Sequence, residues 1–147
     1  EDPSTIIRSG STNSYEFGKV VADIESTITS YKATRAVVDS ISVVDLLLND
    51  PGVYRRSMLS LVSNLRRLNV TSLLTSELSN PELTDVDFKP EFFIFDGVIL
   101  MYEVGKEDRR ALAIEVLKMR GSNHSFAIAP YEITSSGFNV ISSGESL

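Results

Sequence analysis

The chain has 147 residues, 42% of them apolar, with a formal net charge of −6 and a pI near 4.8. That is apolar material enough for one domain or part of one, and the acidic balance argues against a general nucleic-acid surface, which needs clustered Lys and Arg. There is no cysteine, which rules out disulfides and thiolate chemistry and fits a reducing cytoplasm; no apolar run approaches the roughly 20 residues of a membrane span, so no membrane partner is expected.

Glu1-Asp2-Pro3 reads as a strand exit turning into a short helix, with Asp2 as cap and Pro3 in the first turn. With no initiator Met, the chain is expected to be an excised or processed piece. Residues 9–15 are small and polar and predict a loop. A helix is predicted over residues 17–31, with Val20, Ile24, Ile28 and Tyr31 on one face. Then comes Arg35-Ala36-Val37-Val38-Asp39-Ser40, where small and β-branched residues lead into a carboxylate. A buried strand of a parallel sheet reads this way when it ends at an active-site edge.

Residues 41–48 are strongly apolar, and Asn49-Asp50-Pro51-Gly52 is a break. The next helix, residues 53–68, turns Met58, Leu61, Val62, Leu65 and Leu68 inward and Arg55, Arg56, Arg66 and Arg67 outward. Such Arg pairs can hold a phosphate or a partner, but more often form a solvated helix face. A second apolar strand, residues 70–75, ends in Ser76 and Glu77. A strand–helix–strand unit of this kind is a right-handed parallel crossover, so Asp39 and the group Thr75, Ser76 and Glu77 should meet at one edge of a sheet. The plainer alternative is that Asp39 only caps the segment after it.

Residues 79–91 read as a surface loop. Asp96-Gly97 introduces a third strand, residues 98–102, followed by a charged turn over 103–110 around Gly105 and a long strand over 111–119. Residues 130–134 and 138–141, joined by Ser135-Ser136-Gly137, form a terminal hairpin. Residues 142–147 read as a frayed tail.

Lys118-Met119-Arg120-Gly121-Ser122-Asn123-His124 places two cations two residues apart at a strand end. Arg binds phosphate as a fork and Lys as a point charge, so the pair makes an anion clamp, with Ser122 and His124 adding hydrogen bonds. The alternative is a solvated strand end answering local acids such as Glu115. His124 is the single histidine and a poor metal-site candidate alone. Asp39 and Glu77 are candidates for a carboxylate pair, or Asp39 for holding Mg²⁺ through water. The phosphate loop G-x-x-x-x-G-K-[ST] does not occur: Gly18-Lys19 and Gly105-Lys106 are followed by Val and Glu.

From Arg35 to Ile141 the chain resembles the C-terminal half of a KaiC-like ATPase domain of the RecA superfamily. The words that carry the resemblance are Arg35–Ser40, Tyr54-Arg55-Arg56 with its helix, Val70–Glu77, Phe95-Asp96-Gly97-Val98-Ile99-Leu100, Arg109-Arg110-Ala111-Leu112, the Lys118–His124 run, and Tyr131-Glu132-Ile133-Thr134 with Gly137. Their order and spacing are more specific than any one of them. The resemblance implies an α/β fold: a RecA-like, mostly parallel sheet flanked by helices, with a C-terminal antiparallel hairpin, the 147 residues being the C-terminal portion of one such domain. It implies that Asp39 is the Walker B acid organising Mg²⁺ and its water. Glu1 and Asp2 stand for the acidic pair that activates the attacking water, and Thr75, Ser76 and Glu77 for the segment sensing the γ-phosphate. Lys118, Met119, Arg120, Ser122, His124 and Thr134 match positions that reach ATP on the neighbouring subunit, Lys118 and Arg120 acting in trans like an arginine finger. At Ser135 the family often has Asp, so a role there transfers less well.

The function expected is ATP hydrolysis with Mg²⁺ at the subunit interfaces of a self-associating ring, hexameric by the resemblance, with these 147 residues inactive alone for want of the P-loop half. The segment between Arg8 and Lys19 is shorter than the family usually has. The rival is a non-enzymatic assembly or regulatory module that keeps the fold around a degenerate nucleotide site. Recombinase-like DNA binding rests on superfamily analogy alone, and the acidic pI weighs against it.

Overall fold

The computed structural model describes residues 14–48, 50–78, 89–106 and 109–141. The chain divides into two compact units, Glu1–Glu77 and Leu78–Leu147. Expectations for residues 1–13, 79–88 and 142–147 lie outside the described residues.

In the first unit, helix α1 (Ser14–Tyr31) leads to strand β1 (Arg35–Val38), helices α2 (Ser42–Leu48) and α3 (Pro51–Arg67), and strand β2 (Thr71–Leu74). Helix α1 begins three residues earlier than the sequence suggested, so Ser14 and Tyr15 belong to the helix and not to a loop. Its inner face is Phe17, Val21 and Ile28, with Ile24 half-buried, whereas Tyr31 is 81% exposed. The stripe follows the i, i+4, i+7, i+11 rule from Phe17 and has run off the core by Tyr31. Helix α3 supplies the centre of this core through Tyr54, Met58, Leu61, Val62 and Leu65, all buried, with Met58 fully so. Each such side chain contributes roughly 1.5–3 kcal/mol of burial. Arg55, Arg56, Arg66 and Arg67 are exposed, and Arg67 bridges to Glu25 of α1 at 3.0 Å.

Within the expected break, Asp50 to Gly52 is a helix start. Asp50 accepts hydrogen bonds from the amides of Gly52 and Val53 at 2.8 and 2.9 Å, and Pro51 occupies the first turn, where its missing N–H costs nothing. The apolar run before it is the short helix α2, so the crossover from β1 to β2 carries two helices. Both long helices stop alike. Lys32 and Asn69 adopt left-handed backbone (φ 51° and 55°), and the next amides, Ala33 and Val70, reach five residues back to Ile28 and Leu65 at 3.0 and 3.2 Å. These stops turn the chain directly into β1 and β2, which pair in parallel with Arg35 opposite Thr71 and Val38 opposite Leu74.

The second unit is a four-stranded antiparallel sheet in the order β3 (Gly97–Lys106), β4 (Arg109–Met119), β5 (Ala129–Thr134), β6 (Gly137–Val140), preceded by a 3₁₀ turn at Pro90–Phe93. Strand β3 is longer than the sequence suggested. Residues 103–106 and 109–110, read as a charged turn, pair across the hairpin, with Glu103 opposite Leu112 and Gly105 opposite Arg110. A cross-strand ion pair between Arg110 and Glu103 accommodates these two charges in the hairpin. Val98, Leu100 and Tyr102 point inward and are covered by Leu78, Phe92, Phe95, Ala113 and Leu117. The terminal hairpin lies where expected, with Gly137 taking the positive φ (118°) its turn requires. The molecule is thus mixed α/β, with a parallel sheet, an antiparallel sheet and flanking helices.

Candidate functional site

Two parallel strands joined through helices must end side by side, and their exits carry the polar residues singled out in the sequence. The Thr75 amide donates to the Val38 carbonyl at 3.0 Å, and the Ile41 amide to the Thr75 carbonyl at 2.9 Å. The Thr75 hydroxyl donates to Oδ1 of Asp39. The Asp39–Ser40 peptide bond is cis. Asp39, Thr75, Ser76 and Glu77 therefore meet at one sheet edge, as their spacing demanded, and the carboxylate of Asp39 is engaged by the neighbouring strand.

One residue of this group was missed from the sequence. Ser42, first in α2, accepts the Glu77 amide on its Oγ at 2.8 Å and lies 3.4 Å from Ser76 Oγ. A lone serine in an apolar run carries no signal of such a role. Only the parallel pairing of β1 and β2 brings it to residues 76 and 77.

The second cluster belongs to the antiparallel unit. A β-bulge falls between Val98 and Ile99: Val98 pairs with Lys118, but Ile99 pairs with Val116. It inserts a residue into β4 just before Lys118 and re-aims the strand end. Lys118 Nζ donates to the carbonyls of Phe92 (3.1 Å) and Phe95 (2.8 Å). Arg120 donates to the Phe93 carbonyl at 2.8 Å, and its guanidinium lies 3.6 Å from the Asp96 carboxylate. Both cations thus reach the same segment, at the carbonyl end of the 3₁₀ turn, where positive charge is favourable. Glu115, named as a possible local answer to them, instead accepts the Tyr102 hydroxyl.

The remaining candidates lie nearby in sequence, but each has its own local contacts. The Met119 thioether covers Gly97 so closely that a Cβ there would meet its sulfur at 2.8 Å. Ser122 is exposed. His124 is half-buried, its Nδ1 is 3.1 Å from the Ser125 carbonyl, and its ring tilts against Phe126 with centroids 4.6 Å apart. Thr134 closes the hairpin turn: its hydroxyl donates to the Gly137 carbonyl at 3.1 Å and accepts the Ser136 amide at 3.2 Å. Glu1 and Asp2 lie outside the described residues.

Among the described residues, no three His, Cys, Asp or Glu side chains gather as metal ligands. A single carboxylate beside hydroxyls does fit Mg²⁺, a hard cation that keeps several waters and takes one or two protein carboxylates together with phosphate oxygens. Among the described residues, no helix is long and apolar enough to cross a membrane.

The model of the KaiC ATPase family matches residues 2–145. The circadian clock oscillator protein KaiC of Nostoc sp. is 34% identical over 130 residues, 88% of this chain and 25% of that protein. The circadian clock protein KaiC3 of Synechocystis sp. is 32% identical over 119 residues, 81% of this chain and 24% of its own length. The chain therefore spans about a quarter of the length of the curated relatives it matches. The crystal structure of a KaiC-like protein from Pyrococcus horikoshii OT3 superposes with a TM-score of 0.74 at 28% identity, covering 87% of this chain and 55% of that one.

Proposed function

The chain belongs to the KaiC ATPase family, and on that premise we propose that it supplies the Walker B side of an ATP-hydrolysing site formed between copies of a longer protein. The observation that carries this reading is the pairing of Asp39 with Thr75 at the exits of two adjacent parallel strands, where α/β sheets bind their ligands. Asp39 would hold Mg²⁺ through water, and Thr75, Ser76 and Glu77 would face the γ-phosphate. Bound Mg²⁺ would neutralise the charge that develops on the phosphates. The chain has no G-x-x-x-x-G-K-[ST], so the phosphate cradle must come from residues other than these.

Lys118, Met119, Arg120, Ser122, His124 and Thr134 would serve a neighbouring subunit's nucleotide. Glu1 and Asp2 would activate water for attack. Self-association into a ring, six-membered in this reading, follows from sites completed in trans. The test is Mg²⁺-dependent ATP turnover by the full-length protein that carries this sequence. Turnover lost in Asp39→Asn and in Arg120→Ala, and regained when the two inactive variants are mixed, is the expected result. Equal turnover in Asp39→Asn and wild type would overturn the reading.

The alternative is a non-enzymatic assembly module, favoured by one observation: Lys118 and Arg120 already hold backbone carbonyls of their own chain. In that case both variants would assemble normally and wild type would show no turnover.

A further inference from the structure

We infer that Ser42 is a positioning residue for the segment after β2. It fixes the Glu77 backbone, and with it the direction of residues 75–77, relative to Asp39. The inference deepens the ATPase reading above and rests on it for its catalytic half.

Residues 75–77 follow the last paired residue of β2, Leu74, and after the Thr75 amide the sheet offers them no further backbone bond among the described residues. Three groups at the end of β1 and on the β1–α2 connection hold the first of them. The Thr75 amide donates to the Val38 carbonyl, the Ile41 amide donates to the Thr75 carbonyl, and the Thr75 hydroxyl donates to Asp39. All three act on Thr75. Beyond it, Ser42 reaches the next two residues, accepting the Glu77 amide at 2.8 Å with Ser76 Oγ at 3.4 Å. While accepting the Glu77 N–H, the Ser42 hydroxyl keeps its proton and a second lone pair, so either hydroxyl can donate in the contact with Ser76. Ser42 sits in the first turn of α2, which packs on α3. The strand exit is thereby coupled to a helix, a stiffer support than a loop. A group meant to meet a nucleotide must be held to within about half an ångström by such supporting bonds, and small misplacements cost rate without abolishing binding.

The experiment compares wild type, Ser42→Ala and Ser42→Thr in the full-length protein. It measures hydrogen exchange at the Glu77 amide, kcat and KM for Mg²⁺-ATP, and the thermal midpoint. A single hydrogen bond of this type sets exchange and rate effects of up to about tenfold. Expected in Ser42→Ala are exchange at Glu77 faster by about that factor, unchanged exchange in β1 and β2, a kcat loss of about the same size, and a KM within about twofold of wild type. Ser42→Thr, which keeps the hydroxyl, should restore both exchange and kcat.

Wild-type exchange at Glu77 in Ser42→Ala overturns the inference outright. So does faster exchange spread evenly over β1 and β2 with a lowered midpoint, which would mark a merely structural serine, or a kcat loss that Ser42→Thr does not repair. If Asp39→Asn turns over ATP like wild type, the ATPase reading fails and the catalytic half of this inference fails with it. The Glu77 exchange still decides the positioning half.

Discussion

The hydroxyl of Thr75 donates to the carboxylate of Asp39 across the exits of two parallel strands that lie far apart in sequence. Thr75→Val keeps the shape and the β-branch but removes the donor. It should destabilise the chain by about 1 kcal/mol, the usual net worth of such a bond, read as a shift of the urea midpoint without a change in slope. Thr75→Ser should recover most of it. A neutral Thr75→Val would mean that the hydroxyl bond adds nothing to stability.

Tyr102 is 2% exposed and gives its phenol proton to Glu115. Burial first, then the bond and the negative charge of Glu115, push its pKa above the ordinary value of 10.0. The folded chain keeps this proton at a pH where the unfolded chain releases it. The stability that Tyr102 contributes is therefore complete below about pH 10 and lost as pH rises beyond it. Tyr102→Phe should flatten the fall in stability between about pH 9 and 11 (about one unit either side of the phenol value) relative to wild type. At neutral pH it should cost about 1–3 kcal/mol by leaving Glu115 without its donor. Identical alkaline slopes in the two proteins would refute the assignment.

Lys118→Met removes the donor shared by the carbonyls of Phe92 and Phe95. The 3₁₀ turn should loosen, with faster hydrogen exchange at the amides of Phe92 and Ile94, which now bond to Lys89 and Glu91 at 3.0 and 2.9 Å. Arg120→Ala should loosen it less. Its ion pair with Asp96 is exposed on both sides, and such pairs contribute about 0–1 kcal/mol. If Arg120→Ala frees the turn more than Lys118→Met does, the order of importance is reversed.

Met58→Ala empties a fully buried position on α3 and should cost about 2–5 kcal/mol. Asp50→Ala deletes the cap of the same helix and should cost about 1 kcal/mol. The two act on different parts of α3, and their effects should add to within about 0.5 kcal/mol. Chemical unfolding of the single and double variants checks both claims.

The sequence was most readable where pattern and punctuation agreed. The apolar stripe of α3 and the terminal hairpin each combine a clear period with a clear stop; the run into Asp39 does form a parallel strand, but not the buried one expected, since Val37 is 68% exposed. Helix α2 was not readable, because seven residues with only Ser42 and Asp45 polar are too short a run to establish a period. The extension of β3 through Glu103–Lys106 was hidden by Gly105 and by charges that suit a turn equally well until Arg110 is seen to pair with Glu103. The acceptors of Lys118 and Arg120 were invisible for another reason: backbone carbonyls leave no mark in a sequence. Ser42 was hidden because its bond to Glu77 depends on which strands pair, a tertiary fact.

The matched stops after α1 and α3 have a kinetic consequence. Each closes over five residues, a span that forms on the sub-microsecond scale of helix and small-loop closure. The strands they aim must find each other across the whole α2–α3 segment, a slower search limited by loop-closure entropy. Each strand therefore leaves its own helix at a locally fixed angle before the two strands meet. Fixing those exits leaves fewer conformations to search as β1 and β2 pair, and Asn69→Val, which disfavours the left-handed turn, should slow folding.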